Sequence, residues 1–300
     1  MSAFALLFVC LGLGTLVARY ARPPMGLAQG LNWWVINIAL PALVLDVVPQ
    51  LQFDWQFWFL IVSQYLVFAG AYLLFKTLGA RLGWSRGRIG ALTLVCGMGN
   101  TSFMGYPLLE ALRGRDGLAL GVVADQLGCF IVLAVGGTLI AALYSGAQAK
   151  PRDIARRIAL FPPAIALVIA GIAAAFGGVP EMVQQTCQRL GTTMIPLALF
   201  SVGLRFRLRL APGQALPLVL GLGWKMALAP LLVWVLGVST GIGGQMLAIG
   251  VLQAAMAPMV SATILADQHN LDPPLANSVL GVGILLALVT VPLLSWVLPA

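Results

Sequence analysis

Apolar runs of about 20 residues, the length that crosses a bilayer as a helix, recur at 4–20, 27–48, 55–79, 88–112, 117–145, 154–176, 182–204, 214–236, 243–266 and 274–298. This pattern predicts an all-α polytopic membrane protein with ten transmembrane helices. Turn and charge clusters such as Arg22-Pro23-Pro24 and Lys150-Pro151-Arg152 punctuate the short connections, so no soluble domain is expected. A cleavable signal peptide is not expected either, because Met1 to Phe8 carries no positive residue and Arg19 and Arg22 follow the first apolar run.

Cutting the chain near Gln148 leaves two sets of five spans, 1–147 and 148–300, and an odd number per set inverts the second relative to the first. Ala39-Leu40-Pro41-Ala42-Leu43 echoes Met194-Ile195-Pro196-Leu197-Ala198, and Leu127-Gly128 echoes Leu280-Gly281. Helices four and nine both carry breakers in mid-span, in Gly97-Met98-Gly99-Asn100-Thr101-Ser102-Phe103-Met104-Gly105-Tyr106-Pro107 and Gln253-Ala254-Ala255-Met256-Ala257-Pro258-Met259-Val260-Ser261. Proline removes a backbone donor and clashes with the carbonyl one turn back, so Pro107 and Pro258 are expected to kink or unwind their helices. Freed backbone groups persist at membrane depth only where protein or a wet cavity satisfies them, and interruptions matched in two halves point to a midplane binding site. Pro41, Pro196 and Pro230 are read as tolerated kinks. Gly12 and Gly14, Gly136 and Gly137, and Gly281 and Gly283 are read as helix-packing positions.

Composition agrees with this reading: 60% of residues are hydrophobic and only 9% charged, and the mean hydropathy is +0.98. A water-facing surface cannot be covered with so few charges. The net charge of +8 raises nucleic acid as a partner, but thirteen of the seventeen basic residues fall in alternate short loops, around Arg19 and Arg22, Lys76 to Arg88, Lys150 to Arg157, and Arg205 to Arg209. That is the positive-inside pattern, which excludes a nucleic-acid patch and places both termini outside the cytoplasm.

The stretch Asn100 to Pro107, within ten spans arranged five plus five, resembles the auxin efflux carrier family, which includes bacterial malonate and malate permeases. The resemblance covers essentially the whole chain. It implies a fold shared with bile acid sodium symporters, in which two broken helices cross at the centre, here lined by Asn100, Gly105, Pro107 and Pro258. Ser102 departs from the glycine common in relatives. Transport of mono- or dicarboxylates such as malonate or malate, or of auxin-like weak acids, follows from the resemblance, as does a place in the bacterial inner membrane.

The residues supply matching chemistry. A half-helix beginning at Pro107 offers free N–H groups and a positive dipole end to a carboxylate. Asn100, Thr101 and Ser102, with Gln253, Ser261 and Thr263 from the second break, either add donors to a substrate or satisfy freed backbone. Lys225 lies about 16 Å from either end of its span, too deep to reach the interface, and either pairs with a carboxylate or offers charge to an anion. Asp125, beside Gln126, is the preferred coupling group for a proton or sodium ion; Asp46 is a second candidate with a structural alternative. No cofactor is expected, a homodimer is left open, and the partners are a small organic anion and the bilayer. A bile-acid-symporter-like carrier and a passive channel remain as alternatives. An intramembrane enzyme is disfavoured: the single histidine, His269, sits in a polar turn, and no Gly-x-Ser-x-Gly elbow or P-loop occurs. The four cysteines read as small apolar residues within helices.

Overall fold

The computed structural model describes residues 2–21, 23–52, 54–146, 150–206 and 213–299. Arg22, Gln148, Arg207 and Arg209 lie outside the described residues. The chain folds into α1 (Ser2–Leu16), α2 (Leu27–Gln50), α3 (Phe57–Leu82), α4 (Arg86–Gly97), α5 (Thr101–Ser145), α6 (Pro151–Ala159) and α7 (Pro162–Ala175), followed by α8 (Glu181–Gly191), α9 (Met194–Arg205), α10 (Ala215–Ser239), α11 (Gly244–Ala254), α12 (Val260–Gln268) and α13 (Pro273–Val297).

Five helices, α2, α3, α5, α10 and α13, are long and apolar enough to cross a membrane, and α6 with α7, bent by 56°, makes a sixth. The chain is therefore a polytopic membrane protein. Run 4–20 forms a shorter apolar helix, and three runs arrive in pieces: 88–112 is divided between α4 and the start of α5, 182–204 between α8 and α9, and 243–266 between α11 and α12. α5 in turn runs through a non-helical residue, Gly114, with φ 69° and ψ −167°. Only glycine adopts such a conformation at little cost, so the run turns there into a first arm, 101–113, and a second, 115–145.

Proline placement explains several local departures. π-helical turns at Val35–Ala39, Thr101–Gly105 and Trp224–Leu228 each end two residues before a proline, at Pro41, Pro107 and Pro230. The wider turn accommodates the missing donor and the ring without ending the helix. Pro196 is the third residue of α9, where the proline's missing N–H would lack an intrahelical partner anyway.

Two groups of helices emerge from the packing. α1, α2, α7, α8 and α9 pack chiefly on one another and form a frame; α3, α4, α5, α10, α11, α12 and α13 form a core around the two breaks. The frame is pinned where α1 meets α9. A Cβ on Gly14 would lie 2.2 Å from the Phe200 carbonyl oxygen, and one on Gly203 2.3 Å from that of Leu11. Gly12 has open space instead. Gly14→Val is therefore expected to force the two helices apart and cost about 1–3 kcal/mol, read as a lower thermal midpoint in detergent, whereas Gly12→Val should leave the midpoint unchanged.

Polar contacts sort the ends. Arg86 donates to the Leu143 carbonyl at 2.5 Å, while Asp272 accepts from Arg88 at 3.1 Å and from Gln214 at 3.0 Å. At the opposite end Arg115 donates to Asp46 at 2.6 Å, beside Leu6, and Arg113 donates to the carbonyls of Ser295 at 2.7 Å and Pro299 at 2.5 Å. The first and last helices thus start and finish at the Arg113–Arg115 end.

Candidate functional site

The breaks meet. α4 ends at Gly97 and α11 at Ala254, and the extended residues beyond them pair: Gly99 bridges Pro258 in antiparallel fashion, and the Asn100 N–H donates to the Ala257 carbonyl at 2.7 Å. Each segment thereby satisfies backbone groups that its own interrupted helix cannot, as buried unwound chain requires. Pro258 is seated on α13, where a Cβ on Gly283 would lie 2.3 Å from the Pro258 Cδ.

The first break lies upstream of its expected place. Helical structure resumes at Thr101, not Pro107; the first bond of the new arm is Gly105 N–H to the Asn100 carbonyl at 2.9 Å, and Pro107 lies inside the helix that follows. The glycines and Asn100, rather than the proline, mark the interruption. The dipole's positive end therefore falls at Thr101–Met104.

That end already faces an acidic side chain belonging to the chain. Asp125, in a π-helical turn of the second arm and 2% exposed, accepts from the Thr101 hydroxyl, from Ser102 at 2.8 and 2.9 Å, from Tyr106 at 2.7 Å and from the Gln126 amide at 2.7 Å. Ser102 and Tyr106 are one turn apart and so share a face. Charge-assisted bonds of this kind, beside a helix N-terminus, hold a carboxylate without a cation. Thr101 and Ser102, expected to face substrate, are committed to Asp125. Tyr106 was not singled out as a donor; the i, i+4 spacing from Ser102 was the only sequence signal.

Around this cage the polar side chains are incomplete. Asn100, Gln126, Lys225 and Gln253 are at most 2% exposed. The Gln253 amide donates to the Gly121 carbonyl at 3.1 Å, yet its Oε1, the Asn100 Nδ2, the Gln126 Oε1 and the Lys225 Nζ have no hydrogen-bond partner among the described residues. Two of these atoms lie at the crossing: a Cβ on Gly99 would meet the Lys225 Nζ at 3.1 Å, and one on Gly105 would meet the Gln253 Oε1 at 2.8 Å. Cys129 donates to the Gly99 carbonyl at 3.3 Å. Buried polar groups are ordinarily paired, so the open Lys225 Nζ and Gln253 Oε1 beside the paired breaks, with Asn100 in the first break itself, mark the crossing as the candidate site.

The remaining candidates fall elsewhere. Asp46, 4% exposed, is ion-paired to Arg115 at the start of the second arm and borders a cavity of about 230 Å³ with Glu110 and Gln188. Thr263 donates to the Met259 carbonyl at 3.1 Å, one turn back in its own helix. Ser261 is half-buried in the first turn of α12, and no hydrogen bond ties it to the cluster. A larger cavity, about 890 Å³, opens between the frame and α12–α13, from Arg205 and Asp267 inward to Val260 and Thr263, two residues from Pro258 at its nearest.

Comparison with known proteins agrees in class. The family model described as "Membrane transport protein" matches residues 2–295. A protein of Rhizobium meliloti (strain 1021) named "Putative malonate transporter" is 30% identical, over 96% of this chain and 91% of its own. An "Uncharacterized transporter" of Methanothermobacter thermautotrophicus is 26% identical, over 90% of this chain and 89% of its own. Another, from Methanocaldococcus jannaschii, is 24% identical over 70% and 69%. With a family match running almost from end to end over a chain whose two broken helices pair at Gly99 and Pro258, the protein belongs to the membrane transport family of the auxin efflux carriers.

Proposed function

We propose that the protein is a secondary active transporter of small organic anions, with mono- and dicarboxylates of the malonate type as its substrate class. The observation that carries this is the fully buried Lys225, whose Nζ has no hydrogen-bond partner among the described residues and lies against Gly99 where the broken helices cross, with Asn100 next in the chain. A carboxylate placed there gains a charge-assisted bond from Lys225 and a neutral one from Asn100. The malonate named for the Rhizobium relative fits that chemistry. Alternating access follows from the division into frame and core, the core carrying both breaks past the frame. In this reading ten spans form two inverted sets, 1–147 and 148–300, in a cytoplasmic membrane with both termini outside. Asp125, bound by hydroxyls and an amide rather than by a cation, takes the coupling proton or sodium ion, and charge neutralisation in the core permits its movement.

Uptake into proteoliposomes of labelled malonate, malate and an aromatic monocarboxylate, with and without proton and sodium gradients, tests the reading. At least one carboxylate is expected to accumulate above its external concentration under one gradient. Equilibration without accumulation under every gradient would assign a channel instead.

A further inference from the structure

The two ends of the molecule are electrostatically complementary in opposite senses. At one, an acid of the frame, Asp46 on α2, is paired with a base of the core, Arg115, at 2.6 Å, and the local cavity is small. At the other, a base of the frame, Arg205 at the end of α9, and an acid of the core, Asp267 on α12, line the large cavity. There the Arg205 Nε is buried with no hydrogen-bond partner among the described residues, and Asp267 is held by Asn277 at 3.1 Å. Arg205 and Asp267 are the charged residues lining that cavity among the described residues; at the closed end Glu110 also faces Arg115.

The positions correspond across the proposed repeat. Asp46 lies five residues beyond Pro41 and Arg205 nine beyond Pro196, one helical turn further along the same face. Arg115 and Asp267 each sit beside the turn that follows the outer arm of a broken helix.

We propose that these are reciprocal latches: Asp46–Arg115 closes one end in the state described, and Arg205–Asp267 closes the other when the core shifts against the frame, so that only one ion pair exists at a time. This rests on the alternating-access reading. Exchanging one ion pair for another keeps the two states closer to balance than a latch at one end alone, and a carrier needs both populated. A pair that is partly exposed is also weak enough to open on each cycle.

Cross-linking tests the latch independently of any substrate. Arg205→Cys with Asp267→Cys, in a Cys10→Ala, Cys187→Ala background, places two thiols across the large cavity; a disulfide requires their Cα atoms to come within about 4.4–6.8 Å. In membrane vesicles treated with a mild oxidant, a cross-link is expected, read as protection of both thiols from a maleimide probe and its reversal by reductant. Adding Asp46→Ala, which opens the opposite latch, should speed it about fivefold. Two thiols that both react with maleimide yet never cross-link would overturn the proposal, as would an equal rate with and without Asp46→Ala. Failure of carboxylate accumulation would overturn the transport reading and leave the cross-linking result standing.

Discussion

Asp125→Asn is expected to reduce ion-driven accumulation of substrate at least tenfold while exchange of labelled for unlabelled substrate continues. The expectation comes from the cage. Thr101, Ser102, Tyr106 and Gln126 all direct donors at the carboxylate. Asparagine keeps the shape but turns one acceptor into a donor and removes the negative charge from the start of the first arm. Hydroxyls can reverse their bonds, and Gln126, whose Oε1 is free, can present that oxygen to the new amide. The structural cost is then that of an imperfectly satisfied buried network, about 1–3 kcal/mol, with a further helix-dipole loss of about 0.3–1 kcal/mol. The fold should survive. What cannot survive is the binding of a coupling cation, since a neutral amide neither takes a proton nor supplies charge to sodium. Accumulation and exchange measured on one proteoliposome preparation separate the two effects, and an Asp125→Asn protein that accumulates substrate with wild-type gradient dependence removes Asp125 from the coupling role.

How much of this the sequence carried depends on whether the signal was local. Membrane-spanning length and the two interruptions are local properties of apolar runs and breakers, and the helices do break within the predicted segments. The break falls upstream of Pro107, because a proline tolerates a helical position once a π-helical turn precedes it, while Met98, Gly99 and Asn100 carry the chain between the two helices. Lys225 and Asp125 were legible as expensive buried charges. Their partners were not, because those come from other helices. Thr101 and Asp125 are 24 residues apart, and Asp46 and Arg115 are 69 apart, distances at which no periodicity speaks. That Asp125 would occupy the very helix end proposed for substrate was likewise invisible, being a property of how α5 folds back at Gly114.

This occupancy shifts the weight of anion recognition to Lys225, for which Lys225→Met is expected to have opposite effects on transport and stability. Lys225 is fully buried in a π-helical turn of α10, and its Nζ has no hydrogen-bond partner among the described residues. A buried charge without a partner is costly, whereas an apolar side chain of similar length fills the same space without that penalty. The substrate-free variant should therefore be more stable, and a gain of 1 kcal/mol raises the midpoint by roughly 2–4 °C. Removing the ammonium also deprives a bound carboxylate of its charged donor, a loss of about 2–4 kcal/mol, or roughly 30- to 1,000-fold in affinity. Malonate should then no longer raise the thermal midpoint as a ligand of the native state does, and uptake should fall to background. A lysine that merely braced the core would give the reverse signature, a lower midpoint with malonate affinity unchanged in the protein that remains folded. Thermal shift with and without malonate, on wild type and Lys225→Met, distinguishes the two by sign alone.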